Sequence, residues 1–577
     1  MQILNKIMQK RWVIKEPGNP EIVTKISGEL NIHPVLSDLL VQRGIFDFEK
    51  ARMFFRPSLN DLHDPFLMKD MDKAVDRIIT ALNKKEKILI YGDYDVDGTT
   101  AVALVYSFIA SFYPAVEYYI PDRHSEGYGI SFNGIDFAAE NGFSLIIALD
   151  CGIKSNDKIE YANKQGIDFI ICDHHLPGPS LPDAVAVLDP KRSDCAYPYK
   201  ELSGCGIGFK LINAFCLKQN IPFEKLHHYL DLTAISIAAD IVPITGENRV
   251  LAYYGLEQLN TRPRPGIKAL LEKNNLRKAL TISDVVFIIG PRINAAGRIS
   301  SGKNAVEMLI SEAKSLAESS GLVIDKNNTE RKELDRNITS QALSMIEADE
   351  TMLNRKTTVL YREEWHKGVI GIVASRLIET YYRPTIILAE SNGKATGSAR
   401  SVKNFDVHRA IEMCSELLEQ FGGHKYAAGL TMKLENVAAF SHKFEEVVNE
   451  LIEDELLIPS VEIDHKLQFS DISNKFVRVL KQLAPFGPEN MNPVFFTEGV
   501  IQKSGAARIL KEAHLKLKVT QVNNPSVVYD AIGFNMASFY NDVAADKTFD
   551  ICYSIEENNF NGDANIQLNL KDIHFKQ

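Results

Sequence analysis

The chain has 577 residues, 45% hydrophobic and 24% charged, with a formal net charge of −10. That length exceeds what one core supports, so several domains are expected, and the composition is that of an ordinary folded protein rather than a disordered or fibrous one. The negative balance excludes a protein that lives by bulk attraction to phosphate, so any nucleic-acid binding has to rely on local basic patches and bound metal.

Met1 to Ile14 is basic and lacks a following apolar stretch, which argues against a secretory signal. Lys87-Ile88-Leu89-Ile90-Tyr91 reads as a buried strand. It empties into Gly92-Asp93-Tyr94-Asp95-Val96-Asp97-Gly98, three carboxylates in five positions. The same spacing opens a calcium EF-hand loop. The twelfth position from Asp93 is Leu104, however, where that loop needs glutamate, and a strand rather than a helix precedes it. Gly98 to Val116 is free of charge, but Pro114 and the hydroxyls of Thr99, Thr100, Ser107 and Ser111 favour a buried helix over a membrane span.

Three further apolar stretches end alike. Ser144-Leu145-Ile146-Ile147-Ala148-Leu149 runs into Asp150-Cys151-Gly152, and Phe169-Ile170-Ile171-Cys172 into Asp173-His174-His175. Thr233-Ala234-Ile235-Ser236-Ile237-Ala238-Ala239 delivers Asp240. From about Asp72 to Gly208 such runs alternate with helical patterns (Thr99 to Phe112, Lys154 to Gln165), the signature of a parallel α/β sheet. Chemistry in such sheets gathers at the carboxyl ends of the strands, so these groups are expected to converge. Converging carboxylates repel one another unless cations lie between them, and oxygen-rich ligands with one or two imidazoles suit Mn²⁺ or Mg²⁺. Any single acid could instead cap a helix; four motifs of one chemical type favour a metal centre.

Residues from about Ser311 to Glu350 carry no strand signal, and the charges from Glu330 to Arg336 at helical spacing predict a solvated connecting helix. Sheet-and-helix alternation resumes at Thr357-Thr358-Val359-Leu360-Tyr361 and Thr385-Ile386-Ile387-Leu388, predicting a second, smaller α/β domain that ends near residue 455. Short alternating runs, Leu515 to Val519 and Val527 to Ile532, then predict a small β-barrel. The seven cysteines, without paired metal-type spacing, argue for a reducing compartment and hence the cytoplasm.

Asp93-Tyr94-Asp95-Val96-Asp97-Gly98, Asp150-Cys151-Gly152, Asp173-His174-His175 and Ala239-Asp240 resemble, in order, the four motifs of the DHH phosphoesterase superfamily. Gly290-Pro291-Arg292-Ile293-Asn294-Ala295-Ala296-Gly297-Arg298, Gly397-Ser398-Ala399-Arg400-Ser401 and Gly422-Gly423-His424 resemble those of one branch, the bacterial single-strand-specific 5′→3′ DNA exonucleases. The resemblance spans nearly the whole chain; Cys151 and Cys205 depart from it, and the N-terminal stretch matches least distinctively. It implies an α/β architecture. An N-terminal segment (1–71) would precede a DHH phosphoesterase parallel-sheet domain (72–265). A long helical connector (266–350) would join that to a smaller DHH-associated α/β domain (351–455), followed by a C-terminal oligonucleotide-binding β-barrel (456–577).

Two-metal phosphodiesterases hold their ions ~4 Å apart to activate water and stabilise the leaving oxygen. The resemblance implies two Mn²⁺ or Mg²⁺ ions bridged by Asp150, with Asp95 supporting one and Asp97, His174 and Asp240 the other. Asp93 fits a further ligand or an outer group. Asp173 is expected to orient an imidazole, and His175 to contact the scissile phosphate or move a proton, with Arg292 as a further catalytic group. Arg123, Ser398 and Arg400 would hold the 5′ phosphate; Tyr128 would stack on a base; Gly423 and His424 would meet the substrate near the metals. Lys503, Arg508, Lys511, His514, Lys516 and Lys518, near Phe495, fit a groove that tracks a strand.

The implied activity is hydrolysis of single-stranded DNA to 5′-mononucleotides in repair and recombination. The protein would act as a monomer without membrane contact, alongside a helicase and a single-strand-binding protein. Two alternatives stay open here. One is a DHH phosphodiesterase acting on short oligoribonucleotides or cyclic dinucleotides, which resembles only the two α/β domains. The other is a non-catalytic single-stranded-DNA-binding scaffold, which would have lost metal ligands; this chain keeps every motif acid and both histidines.

Overall fold

Near-continuous apolar runs form strands buried on both faces, the environment of a parallel sheet covered by helices. In this computed structural model, which describes residues 10–123, 125–274, 276, 278–503, 505–545, 547–560 and 563–575, five such runs make one sheet. They are β1 (Lys87–Gly92), β2 (Val116–Tyr119), β3 (Phe143–Leu149), β4 (Asp168–Cys172) and β5 (Ala186–Leu188). Most of the basic N-terminal stretch lies outside the described residues. The strands are all parallel in the order β2-β1-β3-β4-β5. Strand order therefore reverses between β1 and β3, and a crevice opens beyond their carboxyl ends, where ligands bind in such sheets. Asp93 follows β1 and Asp150 follows β3.

Two helices pack on this sheet, α1 (Val96–Ala110) and α2 (Gly204–Lys218), and α3 (Leu230–Ala239) packs on both of them; all three are buried almost all round. Asp240 is thus delivered by the end of a helix, not by a strand like the other three motifs. The apolar stretch before it belongs to a helix of ten residues, nearly three turns, and a short apolar run does not by itself separate helix from strand.

Residues 52–331 and 483–491 form one compact unit; residues up to Ala51, 332–482 and 492–577 form the other. The short return segment of the first unit is held by one buried side chain. Arg249 donates to the carbonyls of Phe54 (3.0 and 3.1 Å), Leu483 (2.9 Å), Ala484 (2.8 Å) and Pro485 (3.3 Å), with its guanidinium 3.8 Å from the Phe54 ring centroid. Ile244 N donates to Pro488 O at 2.8 Å. Arg249→Ala is therefore expected to cost about 3–5 kcal/mol, because buried carbonyls lose their donors. A chain ended near Ile458 is expected to lose the same acceptors and melt earlier in its catalytic unit; an unchanged denaturant midpoint for both variants would contradict this.

In the second unit, the helix α5 (Lys314–Glu347) buries Ile338, Ala342 and Ile346, four residues apart on one face, in a cluster with Leu360, Trp365 and Val373. The sheet beside it contains β6 (Thr358–Arg362), β7 (Thr385–Ser391), β8 (Lys394–Arg400), β9 (Gln420–His424) and β10 (Ala427–Lys433), in the order β9-β10-β8-β7-β6, with α6 (Ile370–Thr380) packed on β7 and β8. The C-terminal strands β11 (Phe495–Gln502), β12 (His514–Gln521), β13 (Asn524–Gly533), β14 (Phe549–Phe560) and β15 (Asp563–Phe575) pair as β11-β14-β15-β13-β12, and β11 also pairs with β12. The barrel is closed. Leu515, Leu517 and Val519 point into it, which leaves His514, Lys516 and Lys518 on the outer face. Among the described residues, no helix is long and apolar enough to cross a membrane.

Candidate metal centre

The loop after β1 turns directly into α1. Asp95 is the N-cap of that helix, its Oδ1 accepting from Gly98 N at 3.0 Å, so the capping explanation is true of this acid as well. Asp93 is fully buried; Oδ1 accepts from Gly129 N at 3.3 Å and Oδ2 has no hydrogen-bond partner among the described residues. Asp97, in the first turn of the helix, reaches across the fold. Its oxygens accept from Gly204 N (2.7 Å), Cys205 N (2.8 Å) and Ser236 Oγ (2.7 Å). The acid thus sits on the amino end of α2, where free N–H groups and the helix dipole favour negative charge.

Asp150, after β3, takes the left-handed backbone conformation at φ 59°, which aspartate tolerates. A Cβ at residue 204 would lie 2.6 Å from the Asp150 Cβ, so only glycine lets the start of α2 approach this carboxylate. Glycine matters equally in the Gly290–Arg298 motif, where a Cβ at residue 297 would meet the Tyr94 carbonyl at 2.6 Å. That motif forms α4 (Gly290–Ile299) and buttresses the acidic loop.

After β4, Asp173 collects donors: Ile153 N (2.9 Å), His174 N (2.7 Å), His175 N (3.1 Å) and, facing one of its oxygens at 2.7 Å, His175 Nδ1. His174 Nε2 lies 3.2 Å from Asp150, 3.5 Å from Asp240 and 3.8 Å from Asp97. Neither of its ring nitrogens has a hydrogen-bond partner among the described residues. Asp150, His174 and His175 form one group able to hold a metal ion; Asp97, His174 and Asp240 form another.

The electrostatics are those of a cluster of buried acids. Burial, then the neighbouring acids, pushes Asp93 and Asp150 well above the usual carboxylate range and Asp240 up to about 8. Asp95 is raised in the same way. Burial lowers His174 and so favours the neutral imidazole that ligates metal. Burial also opposes charge on His175 and Asp173, but the bond between them wins, holding His175 up at about 9 and Asp173 down at about 2. Buried carboxylates raised by one another, a neutral imidazole among them and an unpartnered Asp93 oxygen together fit hard divalent cations.

Tyr128 completes the rim, its hydroxyl 3.3 Å from both the Asp150 carbonyl and His175 Nε2. Arg123 stands over the Tyr94 ring at 4.9 Å, on the Asp93 side of the cluster. Arg292, expected as a further catalytic group, has its nitrogens engaged within the fold. It is buried in α4 and donates to the Ile288 carbonyl (2.7 Å), Asp325 (3.2 Å) and Asn274, so all three nitrogens are spent on tying helices together. Motif matching could not separate this tether from a catalytic group.

Ser398, Arg400, Gly423 and His424 belong to the other compact unit. Across β8, β10 and β9, Arg400 pairs with Ala427 and Ala427 with His424, so the arginine and histidine share one row and one face of the sheet. Arg400 Nη1 donates to Ser398 Oγ at 3.0 Å. A Cβ at residue 371, at the start of α6, would fall 2.8 Å from that hydroxyl and 2.9 Å from Arg400 Nη2. The arginine, the hydroxyl and the amino end of a helix thus share one recess, an arrangement suited to an anion.

Sequence reasoning missed Asp189. It follows β5, is fully buried, leaves Oδ2 without a hydrogen-bond partner and is pushed up to about 7, chiefly by burial. Lys191 N donates to its other oxygen at 2.7 Å, and the Lys191 ammonium, paired with Glu201 at 3.3 Å, bears on His174 and Asp240. The signal was present: Ala186-Val187-Leu188 is a fifth short apolar strand that ends in a carboxylate.

A parallel sheet with its acids at the switch point defines a class, and the DHH family N-terminal domain matches residues 87–237. The DHHA1 domain matches residues 354–450 and the RecJ OB domain residues 463–572. The single-stranded-DNA-specific exonuclease RecJ of Bacillus subtilis is 37% identical over 97% of this chain and 70% of its own length. The protein of that name from Escherichia coli is 32% identical over 94% of this chain and 96% of its own. The crystal structure of RecJ in complex with Mn²⁺ from Thermus thermophilus superposes with a TM-score of 0.84 at 25% identity, covering 98% of this chain and 80% of that one. The chain belongs to the RecJ family of single-stranded-DNA-specific exonucleases.

Proposed function

We infer that the chain hydrolyses single-stranded DNA from the 5′ end, releasing 5′-mononucleotides, with two Mn²⁺ or Mg²⁺ ions held by the motif acids. The observation that carries this reading is the gathering of Asp93, Asp95, Asp97, Asp150, His174 and Asp240 at one crevice, with buried oxygens and ring nitrogens left unpartnered. Asp150 would be shared by both ions, Asp95 would hold one, and Asp97, His174 and Asp240 would hold the other. When bound, the ions would supply an activated water and charge stabilisation at the phosphate.

The residues of the chain do the rest. Asp173 fixes the His175 ring through Nδ1 and favours its protonated form. Nε2–H is then left to donate to a phosphate oxygen or to the leaving 3′ oxygen. Arg123, Ser398 and Arg400 grip the terminal 5′ phosphate, which sets polarity. Gly423 and His424 border the substrate, and Tyr128 stacks on a base, with Asp189 and Lys191 shaping the field on the Asp240 side. The domain division 72–265, 351–455 and 456–577 assigns catalysis to the first and strand tracking to the last. The RecJ OB domain match favours long single strands over short oligoribonucleotides, and the intact acids favour an enzyme over a scaffold. A cytoplasmic monomer working beside a helicase and a single-strand-binding protein completes the reading.

Digestion of end-labelled single-stranded and duplex DNA with and without Mn²⁺ tests it: only the single strand with Mn²⁺ should disappear, from the 5′ end. Arg400→Ala and Arg123→Ala should each reduce kcat/KM on 5′-phosphorylated strands by about 10–100-fold and much less on 5′-hydroxyl strands. Equal losses on both would reduce these arginines to general charge.

A further inference from the structure

Asp240 ends α3, and the next residue, Ile241, is held at φ 60° with 66% of its surface exposed. Just past a helix end that left-handed conformation is ordinarily taken by glycine or asparagine. For a β-branched residue it is a genuine outlier, and such strain concentrates at functional sites. Among the described residues the other non-glycine positions with positive φ are all Asn, Asp, Lys or Glu. Ile241 stands apart as the apolar one, and with two thirds of the side chain in solvent, packing offsets little of the strain.

It has apolar company. Leu176, directly after His175, is 64% exposed, and Tyr128, whose hydroxyl lies 3.3 Å from His175 Nε2, is 55% exposed. Ile241 and Leu176 directly follow Asp240 and His175, groups of the one charged crevice in which His174 Nε2 lies 3.5 Å from Asp240 and the Tyr128 hydroxyl meets His175. The charged groups there match phosphate. Apolar side chains have nothing to match in a phosphodiester backbone; their complement on a nucleotide is the sugar edge and the face of the base.

We propose that Ile241, together with Leu176, packs against the base of the nucleotide being released, and that this contact is a determinant of single-strand specificity. It rests on the nuclease reading above and adds a substrate-contacting surface to it. In a duplex the faces of each base are covered by stacked neighbours, so the contact is open only to an unstacked terminal base. Keeping isoleucine where glycine would fit better follows from that need: glycine would relax the backbone and remove the surface.

The experiment compares Ile241→Gly and Ile241→Leu with the wild-type enzyme in Mn²⁺. The substrates are 5′-phosphorylated single strands whose terminal nucleotide carries either a base or an abasic tetrahydrofuran. Wild type should prefer the base-bearing strand. Ile241→Gly should lose about tenfold in kcat/KM on that strand, mainly through KM, and little on the abasic strand, while its Tm stays level or rises. Ile241→Leu, apolar but not β-branched, should keep the preference. An equal loss on both strands would mean that the residue acts only by positioning Asp240, and no loss would mean that the base does not touch it; either overturns the proposal. A wild-type enzyme inert on both strands would overturn the nuclease reading and this inference with it.

Discussion

Asp150→Asn is expected to lower kcat with Mn²⁺ by about 10³-fold or more, while the protein keeps its fold. Asparagine retains the shape and tolerates the left-handed backbone that Asp150 adopts at φ 59°. Alanine would add strain there and blur the result. Burial, then Asp97, Asp95, Asp240 and Asp173, raises this carboxylate, which lies 3.2 Å from His174 Nε2, so removing its charge takes away the acid proposed to serve both ions. The same change relieves repulsion, so the metal-free variant should melt no earlier than wild type. Near-normal turnover in Mn²⁺, measured by release of acid-soluble nucleotide, would sink the two-metal assignment. Asp97 is a poorer probe, because it also receives Gly204 N, Cys205 N and Ser236 Oγ; its loss would disturb the start of α2 and mix folding with catalysis.

The stabilising effect of Mn²⁺ should be larger at pH 8 than at pH 6. Asp240 is pushed from 3.8 up to about 8, with Asp93 and Asp150 well above their ordinary value, and His175 rises from 6.5 to about 9. All four bind protons more tightly folded than unfolded. The carboxylates' contribution to metal-free stability is therefore fully present only below about pH 4, and that of His175 below about 6.5; both are lost progressively as pH climbs to about 8 or 9, so less remains at pH 8 than at pH 6. Asp173, held down at about 2, has the opposite sign, but its contribution is lost only as pH falls below about 4, outside this comparison. Bound cations replace the missing protons between the carboxylates, so they add most where the protons have gone. With Mn²⁺ in ~100-fold excess over its dissociation constant, the gain is about 2.7 kcal/mol, or roughly 5–10 °C in the catalytic unit at pH 8. Thermal melts in chelator and in Mn²⁺ at the two pH values decide it: equal gains, or none, would show that the cluster does not exchange protons for metal.

Local pattern carried much of this protein. A strand of apolar residues ending in Asp93, Asp150 or Asp173 is encoded by adjacent positions, because side-chain periodicity and burial act along the chain; the parallel sheet, its crevice and most of the acids in it were legible for that reason. The RecJ OB barrel and the long helix α5 were legible in the same way, from alternation and from charge spacing. What was illegible depended on partners distant in sequence. Asp240 arrives from a helix, since the apolar run before it has no local feature that excludes one. Arg292 looks catalytic until Asp325 and Asn274 are found at its nitrogens, and Arg249 looks ordinary until the carbonyls of Leu483, Ala484 and Pro485 close over it. Hydrogen bonds across tens or hundreds of residues leave no periodic trace, and a backbone angle such as that of Ile241 is set by how the chain must leave α3 rather than by any preference of isoleucine. The sequence by itself determined which chemistry could assemble at the strand ends; tertiary packing decided which charged groups remain free to perform it, because a charged group buried against its own fold is already spent.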